Sequence, residues 1–141
     1  MKTCASQLAI LLVVLFAGAG ASQSGHSRRE IILGQPFDLE LGQSAVFVGR
    51  GFVVRFASVA GDSRCPKDVI CIWEGSADLV FVLKQRGAAT ATTTLRTSRG
   101  PGEAHYLGYV LRLLKVEPYP RTAGPKDWSQ YVATVVLTRE T

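Results

Sequence analysis

Two cysteines lie close together near the middle of the chain, Cys65 and Cys71, with five residues between them. Thiols at this spacing can form a disulfide, bind a metal ion or carry out thiol exchange. A zinc site needs a second pair of ligands, which the sequence does not offer, and thioredoxin-like exchange needs two intervening residues and a helical context. We therefore predict one Cys65–Cys71 disulfide, no metal site and no cofactor.

Charged and aromatic residues flank both cysteines. Asp62 and Arg64 precede the first cysteine, Lys67 follows it, and Trp73 follows the second. A disulfide would make this loop rigid, which lowers the entropic cost of docking, and Arg and Trp are common interface anchors. We predict a binding surface formed by Asp62, Arg64, Lys67 and Trp73. Two other interpretations stay open, namely that Trp73 packs on the disulfide as core, and that Asp62 and Arg64 form a salt bridge that fixes the loop.

Catalysis would need a nucleophile beside a base, or a titratable pair in a pocket. The two histidines are His26, near the amino end, and His105, close to a Gly-Pro-Gly segment. His105 can be drawn into a triad with Ser63 and Asp62, but chain order alone permits such triads in most proteins. The Gly-Arg-Gly segment at 49–51 lies between strands, not before a helix as a phosphate-binding loop would. We predict no catalytic residues and a protein that is not an enzyme.

The function that these residues favour is a secreted envelope module, structural or binding, that uses the disulfide-closed loop. Its partner would be an envelope protein or a ligand that the sequence does not name. The alternative is a protease inhibitor, because Arg64 or Lys67 on a rigid loop could enter the specificity pocket of a trypsin-like protease. A hydrolase built on His105 is a third interpretation.

Composition narrows the class of protein. The chain has 141 residues, 47% of them hydrophobic, which argues against a disordered tail. Its formal net charge is +5, but the basic residues are dispersed, whereas nucleic-acid binding needs a dense basic face interleaved with aromatics. We predict no nucleic-acid partner, and attraction to an anionic cell envelope stays open. An excess of arginine over lysine, with abundant alanine and glycine, suits a GC-rich bacterial genome.

Residues 1–21 have the pattern of a signal peptide. Lys2 supplies the positive charge, residues 8–17 are an apolar run of about ten residues, and small residues occupy 19–21. A helix that spans a bilayer needs about 20 apolar residues. We therefore predict cleavage after Ala21, no stable membrane anchor after cleavage, and a secreted or periplasmic location.

Beyond the predicted signal peptide, the sequence divides into a small polar segment at 22–35, predicted to be a flexible leader, and one folded domain at 36–141. Short runs of β-branched and aromatic residues separated by Gly and Pro predict about seven strands. These are 37–41, 45–48, 52–56, 77–84, 90–97, 109–116 and 131–138. Apart from one helical turn near 126–130, no helix is expected. The pattern predicts an all-β, single-domain antiparallel β-sandwich, with a small β-barrel as the alternative.

Alternation within these strands indicates which side chains face the core. The predicted core consists of Phe52, Val54, Phe56, Leu79, Phe81, Leu83, Leu111, Leu113, Val135 and Leu137.

The segment Asp-Ser-Arg-Cys-Pro at 62–66, with Cys-Ile-Trp-Glu-Gly at 71–75 before an apolar strand, resembles an uncharacterised family of small bacterial secreted proteins and lipoproteins. In that family an Arg-Phe pair precedes the motif, as at 55–56 here. A strand ending in Pro-Tyr-Pro and a final strand with a tyrosine follow it, as at 109–120 and 131–137. The resemblance spans residues 36–138 and implies a fold and an envelope location, but no reaction. Many relatives carry a lipid-anchor cysteine at the end of the signal, and its absence here implies a soluble product.

Overall fold

The computed structural model describes residues 28–98, 100–122 and 126–141. The predicted signal peptide, its cleavage position, His26 and the first part of the predicted leader lie outside the described residues. Nine strands account for most of the rest: β1 (Arg29–Glu30), β2 (Pro36–Glu40), β3 (Ser44–Phe47), β4 (Phe52–Asp62), β5 (Ala77–Gln85), β6 (Ala91–Arg96), β7 (Glu103–Tyr106), β8 (Tyr109–Glu117) and β9 (Val132–Arg139). One 3-10 helix, Trp128–Gln130, provides the helical turn predicted near 126–130.

The strands form two sheets with the orders β1-β3-β4-β5-β6 and β2-β9-β8-β7. Neighbouring strands are antiparallel, except that β1 runs parallel to β3. The buried faces of both sheets share one hydrophobic core. The predicted all-β sandwich is therefore confirmed, and neither sheet closes into a barrel. In the part of the chain that the structure describes, no helix is long and apolar enough to cross a membrane.

Alternating side chains build the core as the sequence predicts. Of the ten predicted core residues, nine are buried, and the tenth, Leu113, is partly buried against the others. Its strand carries a register shift between Leu113 and Lys115. A bulge of this kind interrupts the inward and outward alternation, so β8 loses the strict pattern at that point.

The start of the folded domain and the end of strand β4 differ from the prediction. Arg29–Glu30 pairs with β3 and Ile31 is buried, so the end of the segment predicted as a leader packs with the sandwich, and the folded domain begins near residue 29, not 36. Strand β4 continues past residue 56 to Asp62 through two register shifts. The longer strand places Asp62 at the edge of the core, at the start of the cysteine loop.

Strand β7 was not predicted. Its sequence, Glu-Ala-His-Tyr, lacks the run of β-branched residues that marks the other strands, and it lies at the edge of its sheet, partly exposed along its length. Pairing with β8 and an ion pair between Glu103 and Arg112 hold it in place.

Candidate functional site

The connection from β4 to β5, residues 63–76, is the disulfide loop. Cys65 and Cys71 are bonded, with Cα atoms 5.9 Å apart, which confirms the predicted disulfide. The base of the loop continues the sheet pattern, since the Ser63 N–H donates to the Ser76 carbonyl at 2.8 Å and the Cys65 N–H to the Glu74 carbonyl at 2.9 Å. The loop is therefore closed twice, by backbone hydrogen bonds at its base and by the disulfide above them.

Asp62, Arg64 and Tyr131 form a buried cluster beneath the loop. Arg64 donates from Nε to Asp62 Oδ1 at 2.9 Å and from Nη2 to Oδ2 at 2.7 Å, and the Arg64 backbone N–H also reaches Oδ1 at 3.0 Å. The Tyr131 hydroxyl donates to Oδ2 at 2.6 Å. Both oxygens of one carboxylate thus hold the loop to the sandwich by charge-assisted bonds, which are the stronger kind.

The remaining donors of Arg64 point across to β8. Nη1 donates to the Val116 carbonyl at 2.8 Å and Nη2 to the Pro118 carbonyl at 2.9 Å, while the guanidinium lies 4.8 Å from the centre of the Tyr119 ring. Buried carbonyl groups need such donors, since an unpaired one is costly. Arg64 therefore joins the disulfide loop to the Pro-Tyr-Pro segment that ends β8.

A second set of contacts fixes the outer part of the loop to the same segment. The Lys67 N–H donates to the Pro120 carbonyl at 3.0 Å, and Lys67 Nζ lies 5.4 Å from the centre of the Tyr119 ring. The Asp68 carboxylate accepts from the Thr122 N–H at 3.0 Å and from the Thr122 hydroxyl. The loop is thus held along one side from Arg64 to Asp68.

Electrostatics keep the cluster in one protonation state. Burial raises the pKa of Asp62, but hydrogen bonds from Arg64 and Tyr131 outweigh it and leave that pKa below its ordinary value. Burial lowers the pKa of Arg64, and the Asp62 carboxylate more than reverses this. Burial and the hydrogen bond to Asp62 raise the pKa of Tyr131 to about 12. At neutral pH the cluster is an ion pair capped by a neutral phenol.

Two of the four residues predicted to form the binding surface are buried in the structure. Asp62 and Arg64 are each only 6% exposed, so neither lies on a surface that a partner can reach, and the salt-bridge interpretation describes them. Lys67 is exposed, and Trp73 is 65% exposed, so Trp73 does not pack as core. Of the four predicted residues, Lys67 and Trp73 lie at the surface.

Four apolar side chains at the end of the disulfide loop, Val69, Ile70, Ile72 and Trp73, form what we call the apolar tip. Ile70 and Ile72 are 102% and 94% exposed, and Val69 is 43% exposed. The sequence analysis missed the first three. The available signal was an apolar run at 69–73 that includes the second cysteine and is too short to be a typical strand.

The three residues of the hypothetical triad, His105, Ser63 and Asp62, each contact other groups. His105 lies on the edge strand β7, where its Nδ1 is 2.9 Å from Glu140 Oε1. The Ser63 hydroxyl donates to the Ser76 carbonyl. Asp62 is engaged by Arg64 and Tyr131 instead. Within the described ranges, no group of three or more His, Cys, Asp or Glu side chains could hold a metal ion.

A cleft of about 300 Å³ lies between the disulfide loop and β8. Two of the basic groups in its wall already have acidic partners, since Arg64 is paired with Asp62 and Lys115 lies 2.9 Å from Glu117. The cleft is lined by Arg64, Glu74, Gly75, Thr97, Leu114, Lys115, Val116, Glu117 and Tyr119. Because these charges are neutralised within the protein, the apolar tip is the more distinctive feature of this end of the molecule.

Comparisons with protein-family models, with curated proteins and with solved structures found no match. The resemblance based on the Asp-Ser-Arg-Cys-Pro motif therefore stays a prediction, and function must be argued from the geometry of the loop.

Proposed function

We propose that the protein is a secreted, non-enzymatic β-sandwich module of the cell envelope that docks on another envelope component through the apolar tip. The observation that carries this proposal is the complete exposure of Ile70 and Ile72 beside a largely exposed Trp73. A disulfide persists in oxidising compartments, which supports a location outside the cytosol.

Clustering distinguishes the apolar tip from other exposed apolar residues. Ile32, Val48 and Leu107 are also exposed, but they lie on separate segments, and scattered residues of this kind are ordinary on protein surfaces. Fully burying one isoleucine side chain contributes about 1.5–3 kcal/mol. Two isoleucines separated by one residue, together with a tryptophan, therefore offer a partner a substantial gain in binding free energy from a small area.

The contacts that hold the base of the apolar tip favour docking over a role as a simple connection between two strands. The Asp62–Arg64–Tyr131 cluster and the disulfide hold the loop in one conformation, with bonds to Val116 and Pro118 on the opposite sheet. A surface that is already ordered loses little conformational entropy when it binds. Tryptophan is moreover among the residues most enriched at binding hot spots.

The same geometry weakens the protease-inhibitor alternative. Arg64 is buried with its guanidinium bonded to Asp62, Val116 and Pro118, so it cannot enter the specificity pocket of a protease. Lys67 is exposed, but its backbone N–H is already bonded to Pro120. Docking through the apolar tip uses residues that the loop leaves exposed, and we therefore prefer it.

A retention assay tests the proposal. Mature protein is mixed with the washed envelope fraction of the source cells and the retained amount is measured after sedimentation. The test variant is Ile70→Ser/Ile72→Ser, and the control is Ile32→Ser/Val48→Ser, which replaces two exposed apolar side chains elsewhere on the protein. Urea unfolding of each variant checks that the fold is intact.

We expect wild type and control to be retained and the tip variant to be lost. Equal retention of all three proteins, or no retention of wild type, would reject docking through the tip.

A further inference from the structure

We infer that the component on which the apolar tip docks is a lipid bilayer with anionic headgroups, and that the tip inserts into the bilayer interface. This inference rests on the proposed docking function and names its partner. It is carried by the small size of the tip, by its residue types and by the net positive charge of the protein.

The size of the tip fits a bilayer better than a protein surface. A stable protein interface uses about 20–30 residues a side, arranged as an apolar centre within a polar rim. The tip has four apolar side chains on one loop, and the exposures of Ile70 and Ile72 mean that the described residues around them provide almost no surrounding contact surface. A bilayer needs no matching contact surface, since each side chain that enters it is buried independently.

The residue types of the tip match the layers of a bilayer interface. Aliphatic side chains such as Ile70 and Ile72 gain from the acyl region, and tryptophan prefers the headgroup level, where its ring is apolar and its N–H stays near water. Trp73 lies closer to the base of the loop than Ile70 along the chain and is less exposed. The loop therefore presents isoleucine at its end and tryptophan behind it.

The net charge of the protein, and not the charges next to the tip, favours an anionic surface. Close to the tip, the exposed bases Lys67 and Arg121 are balanced by the exposed acids Asp68 and Glu74. The formal net charge is +5 for the whole chain and +4 after the predicted loss of Lys2 with the signal peptide, so attraction at longer range favours negatively charged headgroups.

Polar groups on either side limit the depth of insertion. Asp68 and Glu74 bracket the tip and are exposed, and the irregular backbone of a loop cannot enter the hydrocarbon region without losing its hydrogen bonds to water. Insertion would therefore stop at the boundary between headgroups and acyl chains, about 5–10 Å deep, as for interfacial helices.

The test uses protein-free vesicles, so that no protein partner can contribute. Sedimentation with vesicles of equal parts phosphatidylglycerol and phosphatidylcholine is compared with pure phosphatidylcholine, for wild type, Ile70→Ser/Ile72→Ser and the control Ile32→Ser/Val48→Ser. We expect wild type and control to bind the anionic vesicles, more weakly in high salt, and the tip variant to bind at least about tenfold more weakly.

Fluorescence gives a second, independent measurement. In Trp128→Phe, Trp73 is the only tryptophan, and the aromatic ring against Tyr131 is kept. We expect anionic vesicles to shift its emission to shorter wavelength and brominated acyl chains to quench it. Quenching places Trp73 at the acyl boundary, which a purely electrostatic attachment would not do.

Three outcomes would overturn the inference: no binding of wild type to either vesicle, equal binding to both vesicles, or equal binding of the tip variant and the control. The two proposals fail separately. If vesicle binding fails while retention on the envelope fraction still depends on the tip, docking stands and its partner is a protein. If both fail, the tip is not a docking element.

Discussion

The Arg64 guanidinium lies against the Asp62 carboxylate, with Nη2 2.7 Å from Oδ2 and side chains that are 5% and 0% exposed. This buried ion pair also connects several segments of the protein. Through the other Arg64 donors it reaches Val116 in the second sheet and Pro118 just beyond the end of β8, and through Asp62 it reaches Tyr131. One pair of residues separated by a single serine therefore ties the disulfide loop to both sheets.

Breaking this pair should be costly. Asp62→Ala leaves the Arg64 charge buried without its partner, and we expect a loss of about 3–5 kcal/mol in the free energy of unfolding, measured by urea denaturation. The matched control is Glu103→Ala, which breaks the exposed ion pair between Glu103 and Arg112, 2.9 Å long. Exposed pairs contribute about 0–1 kcal/mol, so similar losses in the two variants would show that the buried pair does not hold the loop.

Stability at alkaline pH should depend on Tyr131. Burial, with the hydrogen bond to Asp62, raises the pKa of this phenol from 10.0 to about 12 in the folded protein. A group whose pKa is raised by folding stabilises the protein fully below its unfolded pKa and loses that contribution as the pH rises through its folded pKa. We therefore expect the free energy of unfolding to fall by about 2–3 kcal/mol between pH 10 and about 12.

The variant Tyr131→Phe isolates this effect. It cannot ionise, so its stability should be lower at neutral pH, because Asp62 loses a donor, and should fall less steeply above pH 10. Chemical denaturation of both proteins across this range provides the measurement. Parallel curves for wild type and Tyr131→Phe would assign the alkaline loss to other groups.

The sequence was sufficient for the sandwich and for the disulfide, because both depend on local patterns. Alternation at Phe52, Val54 and Phe56 specifies the buried face of β4 without knowledge of its neighbours. The pairing of Cys65 with Cys71 follows from their spacing and from the scarcity of other cysteines.

The burial of Arg64 could not be predicted in this way. Its partners Val116 and Pro118 lie 52 and 54 positions away, and Tyr131 lies 69 positions from Asp62. Composition alone makes an arginine three residues before a lysine in a loop look exposed. The fold, and not the local sequence, brings Arg64 together with these distant partners.

Trp73 and its neighbours are the opposite case, because Trp73 is exposed as the predicted binding surface requires and the alternative core interpretation is wrong. Apolar residues beside a disulfide are expected in the core, because burial is favourable. Here the Asp62–Arg64–Tyr131 cluster and the bonds to Pro120 and Thr122 hold the base of the loop, so the tip needs no burial of its own. The exposure of the tip is a consequence of polar contacts that no local pattern reveals.

Gly75, the glycine of the disulfide loop, should tolerate substitution poorly. Its φ is +70°, and a Cβ at this position would lie 1.8 Å from the Ser63 carbonyl oxygen. Gly87 is the matched control, with φ of +79° and open space around its Cβ position. We expect Gly87→Ala to cost about 1–2 kcal/mol from backbone strain alone, and Gly75→Ala to cost about 1–3 kcal/mol more from the added clash.

Thermal or urea unfolding of the two alanine variants measures this difference. Because both glycines have a positive φ, any excess cost at Gly75 reports the close approach of the two ends of the loop. Equal costs would mean that the Ser63 and Gly75 backbones move apart freely, and the loop base would then be less rigid than docking requires.

Removing the disulfide should separate stability from docking. For Cys65→Ser/Cys71→Ser, the chain-entropy estimate for so short a loop is a loss of about 2–2.5 kcal/mol in the free energy of unfolding. The sandwich should remain folded, because the Asp62–Arg64–Tyr131 cluster and the backbone bond from Cys65 to Glu74 do not involve the sulfur atoms. The apolar tip would then be joined to a folded base but released from the conformation that the disulfide imposes.

We therefore expect this variant to show a native-like circular dichroism spectrum and a lower unfolding midpoint, with weaker retention on the envelope fraction. The retention loss would reflect the added entropy of ordering Ile70, Ile72 and Trp73 on binding. Undiminished retention at reduced stability would show that the disulfide serves only to stabilise the loop, and that the polar contacts from Arg64 to Asp68 are sufficient to present the tip.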